Sequence, residues 1–216
     1  MSKQVQYSLS SEVKLAVNYG SVTEFGYPAN PDKAVIVNSA NNICLGGGGI
    51  DGAIGAAGGE NLYNDRCALP VLRHHDNPYR ARRCATGTCV MTGPNDYGRL
   101  NTKYVIHAVS PNYAHDKYLN NEDLADCKLQ NAYKNSLKCA SAAGLESIAF
   151  SLISMGKFRG NNRSIHDLLR IAIRAILDVH HFTQPLKEIH LCGYSEEEYL
   201  AIIEVAYGEG LVRVSG

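Results

Sequence analysis

Neither sign of charge is in excess in this chain: 21 Lys and Arg stand against 21 Asp and Glu. A dedicated nucleic-acid binder carries a basic surplus, so that class is set aside. No apolar run reaches the length of a bilayer-spanning helix, which removes a membrane partner. The first residues, MSKQVQYSLSSEVKL, lack an uninterrupted apolar stretch between a basic start and a small-residue cleavage site, so no secretory signal is read there. These absences predict an intracellular, cytoplasmic location. Repeats and low-complexity tracts are also missing, and 216 residues suffice for one well-buried core, which gives a single domain over 1–216. The seven cysteines are odd in number and scattered, a pattern of reduced, buried thiols rather than of staples. Cys84, Cys89, His74 and His75 do not have the spacing of a zinc finger, and neither a metal nor a cofactor is expected.

What is present centres on Val35 to Gly59, VIVNSANNICLGGGGIDGAIGAAGG. Three β-favouring residues run into an Asn-rich turn, then consecutive glycines, then an Ala-rich helical segment from Ile50 that Gly58 and Gly59 interrupt. Glycines in a row cost conformational entropy and are tolerated where backbone must approach a ligand or take positive φ. Bare N–H groups from Gly46 to Gly49, followed by a helix N-terminus, make a cradle for phosphate or diphosphate. No Lys followed by Ser or Thr comes after the glycines, which excludes a P-loop. Gly47, Gly49 and Gly52 fit G-x-G-x-x-G, yet Asn38 to Leu45 separate them from the strand and no ribose-binding acid lies about twenty residues on, so a nicotinamide dehydrogenase is a distant reading.

Around this stretch the pattern alternates. Val5 to Leu9 and Val13 to Val17 read as a strand pair, and Tyr19 to Asp32 as a turn-rich connection. Thr88 to Thr92, Tyr104 to Val109, Ser147 to Ile153 and Glu188 to Cys192 read as further strands. Helices are predicted from near Asn121 to Gly144, around Ile165 to Ile176, and after a Ser195/Glu198 capping box. The basic segment Asp65 to Arg83, with Arg66, Arg73, His74, His75, Arg80, Arg82 and Arg83, reads as peripheral: a solvated loop or a rim that steers a polyanion. The fold class is α/β, a three-layer α/β/α arrangement with a central mixed, mostly parallel sheet. Ligand loops then fall at Asn38 to Asp51 and Ser154 to Asn162, outside the carboxyl ends of strands.

Asn38-Ser39-Ala40-Asn41, Gly46 to Gly49 with Asp51-Gly52, Ala56-Ala57-Gly58, Val105-Ile106-His107 and Ser154-Met155-Gly156-Lys157-Phe158 together resemble the macrodomain family, from about Val17 to Tyr199. The resemblance is to the branch of ADP-ribosyl hydrolases and O-acetyl-ADP-ribose deacetylases. It implies Asn41 and Asp51 as catalytic residues at a distal ribose. Gly48, Gly49, Ile50 and the segment Ser154, Met155, Gly156, Lys157 and Phe158 would clasp the diphosphate, Phe158 also packing on the ribose. Ala40, Ser21, Val22 and Tyr194 complete the implied ligand contacts, Tyr194 against adenine. Two departures stand out: the family's Gly-Asp-Ile-Thr is Gly20-Ser21-Val22-Thr23 here, and Arg159 precedes Gly160.

The residues themselves leave alternatives open. Asp51 suits the cap of its own helix, Asn38 and Asn41 suit turns, and His107 in an apolar strand reads as a satisfied core histidine. In the functional reading, Asp51 anchors a water for attack on protein-linked ADP-ribose or on O-acetyl-ADP-ribose. The alternatives are a reader that binds ADP-ribose or ADP-ribosylated proteins without turnover, and a phosphatase acting on ADP-ribose 1''-phosphate. A monomer is expected.

Overall fold

Among the described residues seven strands form one sheet. The computed structural model describes residues 3–25, 30–119, 121–161 and 163–214. Residues 26–29 of the predicted connection and Asn162 at the end of the second loop lie outside them. β1 (Lys3–Ser8) and β2 (Lys14–Tyr19) form the antiparallel pair read from their alternation. β2, β7 (Glu188–Gly193), β6 (Ser147–Ser151), β3 (Ala34–Ala40) and β5 (Tyr104–Val109) run parallel, and β4 (Thr88–Thr92) closes the far edge antiparallel to β5. The sheet is thus mixed and mostly parallel, with short antiparallel strands at both rims.

Helices cover both faces, and alternate residues of each central strand choose between them. Val35 and Val37 of β3 join the large apolar cluster under α3 (Glu122–Ala142), α4 (Ile165–Val179) and α5 (Glu196–Gly208). Ala34 and Ile36 face the other way, into a smaller cluster with Ile54 and Leu62 of α1 (Gly49–Ala68). A single turn, α2 (Asp116–Leu119), precedes α3. The chain has the local signals to start its long helices: Asn121 Oδ1 accepts from Leu124 N–H at 3.2 Å, and Ser164 with Asp167 and Ser195 with Glu198 form reciprocal capping boxes. The cysteines among the described residues are free thiols. No helix there is long and apolar enough to cross a membrane.

Candidate active site

At the carboxyl ends of the parallel strands a cleft of about 390 Å³ opens, the place where a sheet of this kind receives ligands. After β2 come Gly20, Ser21 and Val22; after β3 come Gly49, Ile50 and Ala53 of the first turns of α1. β6 and its loop supply Ser151, Leu152, Met155 and Gly156, β7 and its loop supply Cys192 and Tyr194, and the first turn of α5 supplies Glu198. The two loops singled out from sequence therefore meet across one cleft. Tyr194 is 74 % exposed at its mouth.

The loop after β3 is folded by Asn41. Its Oδ1 accepts from Ile43 N–H at 2.9 Å and Cys44 N–H at 3.3 Å, and its Nδ2 donates to the Gly46 carbonyl at 2.9 Å. The turn use of Asn41 is thus observed, with Cys44 held at φ 60 and Gly46 and Gly49 at φ 126 and 60. Gly47 packs on the start of α1 so closely that a Cβ there would lie 2.9 Å from Asp51 Oδ2. Gly48 occupies the N-cap of α1 and offers no side-chain cap, so the first N–H groups of this 20-residue helix remain free for an anion.

Below the loop lies a buried polar network. Asp51 is 4 % exposed, and its Oδ1 accepts from Asn38 Nδ2 at 2.8 Å. Asn38 Nδ2 is also 3.2 Å from His107 Nδ1. A carboxylate can only accept, so the amide NH₂ group must face Asp51, which makes His107 Nδ1 an acceptor and places its proton on Nε2. That nitrogen lies 3.1 Å from Thr92 Oγ1, whose hydroxyl donates to the Val105 carbonyl at 3.4 Å. Burial, reinforced by the charge of Arg66, holds the His107 pKa well below its usual value, so the ring is neutral. The core-histidine reading of His107 is what the structure has. Asn38 is not in a turn: it sits in β3, on the face that Ala34 and Ile36 define, and orients Asp51.

Arg66 is the residue that sequence reasoning misplaced. The sequence pattern puts it in a peripheral basic segment, yet it is 2 % exposed and its Nη2 lies 3.1 Å from Asp51 Oδ1, an ion pair without hydrogen-bond alignment. Burial lowers its pKa, opposed first by the charge of Asp51. A straight helix would put Asp51 and Arg66 about 22 Å apart, beyond the reach of any side chain. The chain solves this at Gly59, whose φ of 63 and ψ of −154 break α1 and turn its second half back. Arg83, in the same basic segment, is buried as well, while Arg73, His74, His75, Arg80 and Arg82 are exposed.

Of the other residues expected at the site, Ala40 is buried at the end of β3. Ser154, at φ 62, is buried with Oγ 2.6 Å from Ser110 Oγ and donating to the Pro111 carbonyl at 2.8 Å. Lys157 and Phe158 lie in a single 3₁₀ turn, Lys157 exposed and Phe158 half-buried with its carbonyl accepting from Tyr113 N–H at 2.8 Å. Gly20, Ala53, Ser151, Leu152, Cys192 and Glu198 line the cleft without having been singled out. The strand-end rule alone would have found Ser151, Leu152 and Cys192. Glu198 enters through its capping box, Oε2 accepting from Tyr194 N–H at 2.7 Å. Among the described residues no group of three or more His, Cys, Asp and Glu is placed to hold a metal ion.

A macro domain family model matches residues 37–169. A macro domain-containing protein of Xanthomonas axonopodis pv. citri is 35 % identical over 189 residues, which are 88 % of this chain and 93 % of that protein. A protein named O-acetyl-ADP-ribose deacetylase, from Cronobacter turicensis, is 34 % identical over 171 residues, 78 % of this chain and 85 % of its own. Among solved structures, the Oceanobacillus iheyensis macrodomain with ADP is similar with a TM-score of 0.77 at 26 % identity, covering 96 % of both chains. The Trypanosoma brucei macrodomain in complex with ADP-ribose gives 0.65 at 27 % identity, covering 88 % of this chain and 68 % of that one.

Proposed function

The chain belongs to the macro domain family, and from that premise we propose that it binds ADP-ribose in the cleft and hydrolyses a bond at the distal ribose. The substrates would be O-acetyl-ADP-ribose, mono-ADP-ribosylated proteins, or both. The diphosphate meets the free N–H groups at Gly48 and Gly49 at the start of α1 and the backbone of Met155 and Gly156 opposite, while Ser21, Val22 and Tyr194 receive the adenosine end.

One observation supports turnover rather than binding alone. Asp51 Oδ1 faces Asn38 and Arg66, while Oδ2 is buried and has no hydrogen-bond partner among the described residues, on the side of Gly47 and Asn41. A buried carboxylate oxygen with no donor is costly, and a water or ribose hydroxyl would satisfy it. Held there, the water attacks the acyl carbon or the anomeric carbon, Asp51 Oδ2 drawing off its proton as the new C–O bond forms. At the acyl carbon the bond to the ribose oxygen breaks, and that oxygen takes up the proton as acetate or the side-chain carboxylate leaves; at the anomeric carbon the bond to the side-chain carboxylate oxygen breaks and the carboxylate leaves.

A reader without turnover remains the second reading, favoured by the burial of Asp51 in an ion pair. Calorimetry with ADP-ribose beside a panel of acetyl-, aspartyl- and glutamyl-linked ADP-ribosyl substrates separates the two. The proposal expects saturable binding and release of free ADP-ribose from at least one linkage; tight binding with no product from any linkage leaves only the reader.

A further inference from the structure

The position of Arg66 raises a question that its pairing with Asp51 does not exhaust. A carboxylate beneath a diphosphate cradle repels the ligand it serves, since like charges in a poorly solvated site interact strongly. The guanidinium lies on the floor of that cradle: Cβ atoms built on Gly46 of the loop and on Gly55 of α1 would each be 3.7 Å from Arg66 Nη1. Its Nε and Nη2 are buried and have no hydrogen-bond partner among the described residues, so at these two nitrogens neither backbone nor solvent answers the charge. The second half of α1, beyond the kink at Gly59, carries it there. Three titratable neighbours do not offset Asp51: His107 is neutral, the Cys44 thiol is pushed up by its contact with Cys84 and by burial, and burial pushes the Tyr97 phenol up.

We propose that Arg66 is a positioning residue that cancels the charge of Asp51 beneath the glycine loop, so that one site holds both a reactive carboxylate and an anionic diphosphate. This rests on the ADP-ribose reading given above. Arg66 touches no substrate atom; it acts on the ligand through Asp51 and through the field under Gly46 to Gly49.

The test is a binding cycle read with ADP-ribose and with adenosine, which has the same base and proximal sugar but no phosphate. Arg66→Met is expected to weaken ADP-ribose about tenfold or more while adenosine changes by less than about twofold, because only the former carries charge to the loop. Arg66→Lys keeps the charge and is expected to stay within about threefold of wild type for both ligands. The decisive variant is Asp51→Asn with Arg66→Met, which removes both charges at near-constant volume, leaves no unpaired buried charge and is expected to fold even where Arg66→Met alone does not. It is expected to regain most of the ADP-ribose affinity. Equal losses for the two ligands, or a double variant as weak as Arg66→Met, overturn the proposal. A wild type that fails to bind ADP-ribose at all overturns the functional reading and this proposal together, whereas wild-type binding with a failed cycle overturns only this one.

Discussion

The two faces of the sheet are built on opposite principles. Under α3, α4 and α5 the interior is apolar and continuous, from Leu15 and Val17 through Leu129, Leu137 and Phe150 to Ile173 and Ile202, and each helix opens on a side-chain cap. Under α1 the apolar cluster is smaller and shares its space with Asn38, Asp51, Arg66, Thr92 and His107, and the helix itself is uncapped and broken at Gly59. The apolar face holds the fold together, and the α1 face carries the unfavourable groups. Buried charge and free helix ends are unfavourable unless something repays them, and they are gathered on the one face whose strand ends and loops form the cleft.

That contrast can be broken from either side. The largest effect is expected on the apolar face: Leu129→Ala empties a fully buried site and should lower unfolding free energy by about 2–5 kcal/mol in urea titration, with ADP-ribose affinity of the remaining folded protein unchanged. A loss of affinity as well would show that the faces are not independent. On the α1 face, Gly59→Ala forces an L-residue into a backbone region that is nearly glycine-only, at a cost of about 1–3 kcal/mol. Here activity should fall beyond what stability explains, because Arg66 is carried away from Asp51.

The smallest effect is a pH slope. His107 is neutral in the fold and has its pKa lowered well below normal, so below about pH 6.5 the unfolded chain takes up a proton that the folded one refuses. Stability from this residue is therefore full above that pH and is lost as pH falls toward the depressed folded value, by at most about 1.4 kcal/mol per pH unit. Urea midpoints measured from pH 7 to pH 5 should fall more steeply for wild type than for His107→Gln. Identical slopes would remove His107 from the network.

Much of the fold could be read from the chain because its signals are local. The Ser195/Glu198 box and the β-favouring run Val35 to Val37 each declare themselves within a few residues. The ligand loops were legible for the same reason, through the glycines and Ser154 to Gly156. The Asp51–Arg66 pair was not, because it depends on a kink that returns one helical segment alongside another, and spacing along an ideal helix argues against the contact. Asn38 was obscured differently: Asn favours turns, and only the sheet register shows that it continues the face of Ala34 and Ile36 toward α1. The cleft residues Ser151 and Cys192 needed the strand order before their shared position had meaning.

Asp51 is where the account is most exposed. Asp51→Asn keeps the shape of the side chain and removes the carboxylate that is proposed to hold and deprotonate the attacking water. Steady-state hydrolysis of O-acetyl-ADP-ribose by this variant should show kcat lower by about 10²- to 10⁴-fold, with ADP-ribose affinity within about tenfold of wild type. Undiminished kcat would contradict the assignment of the reaction to Asp51 and leave it a structural partner of Arg66.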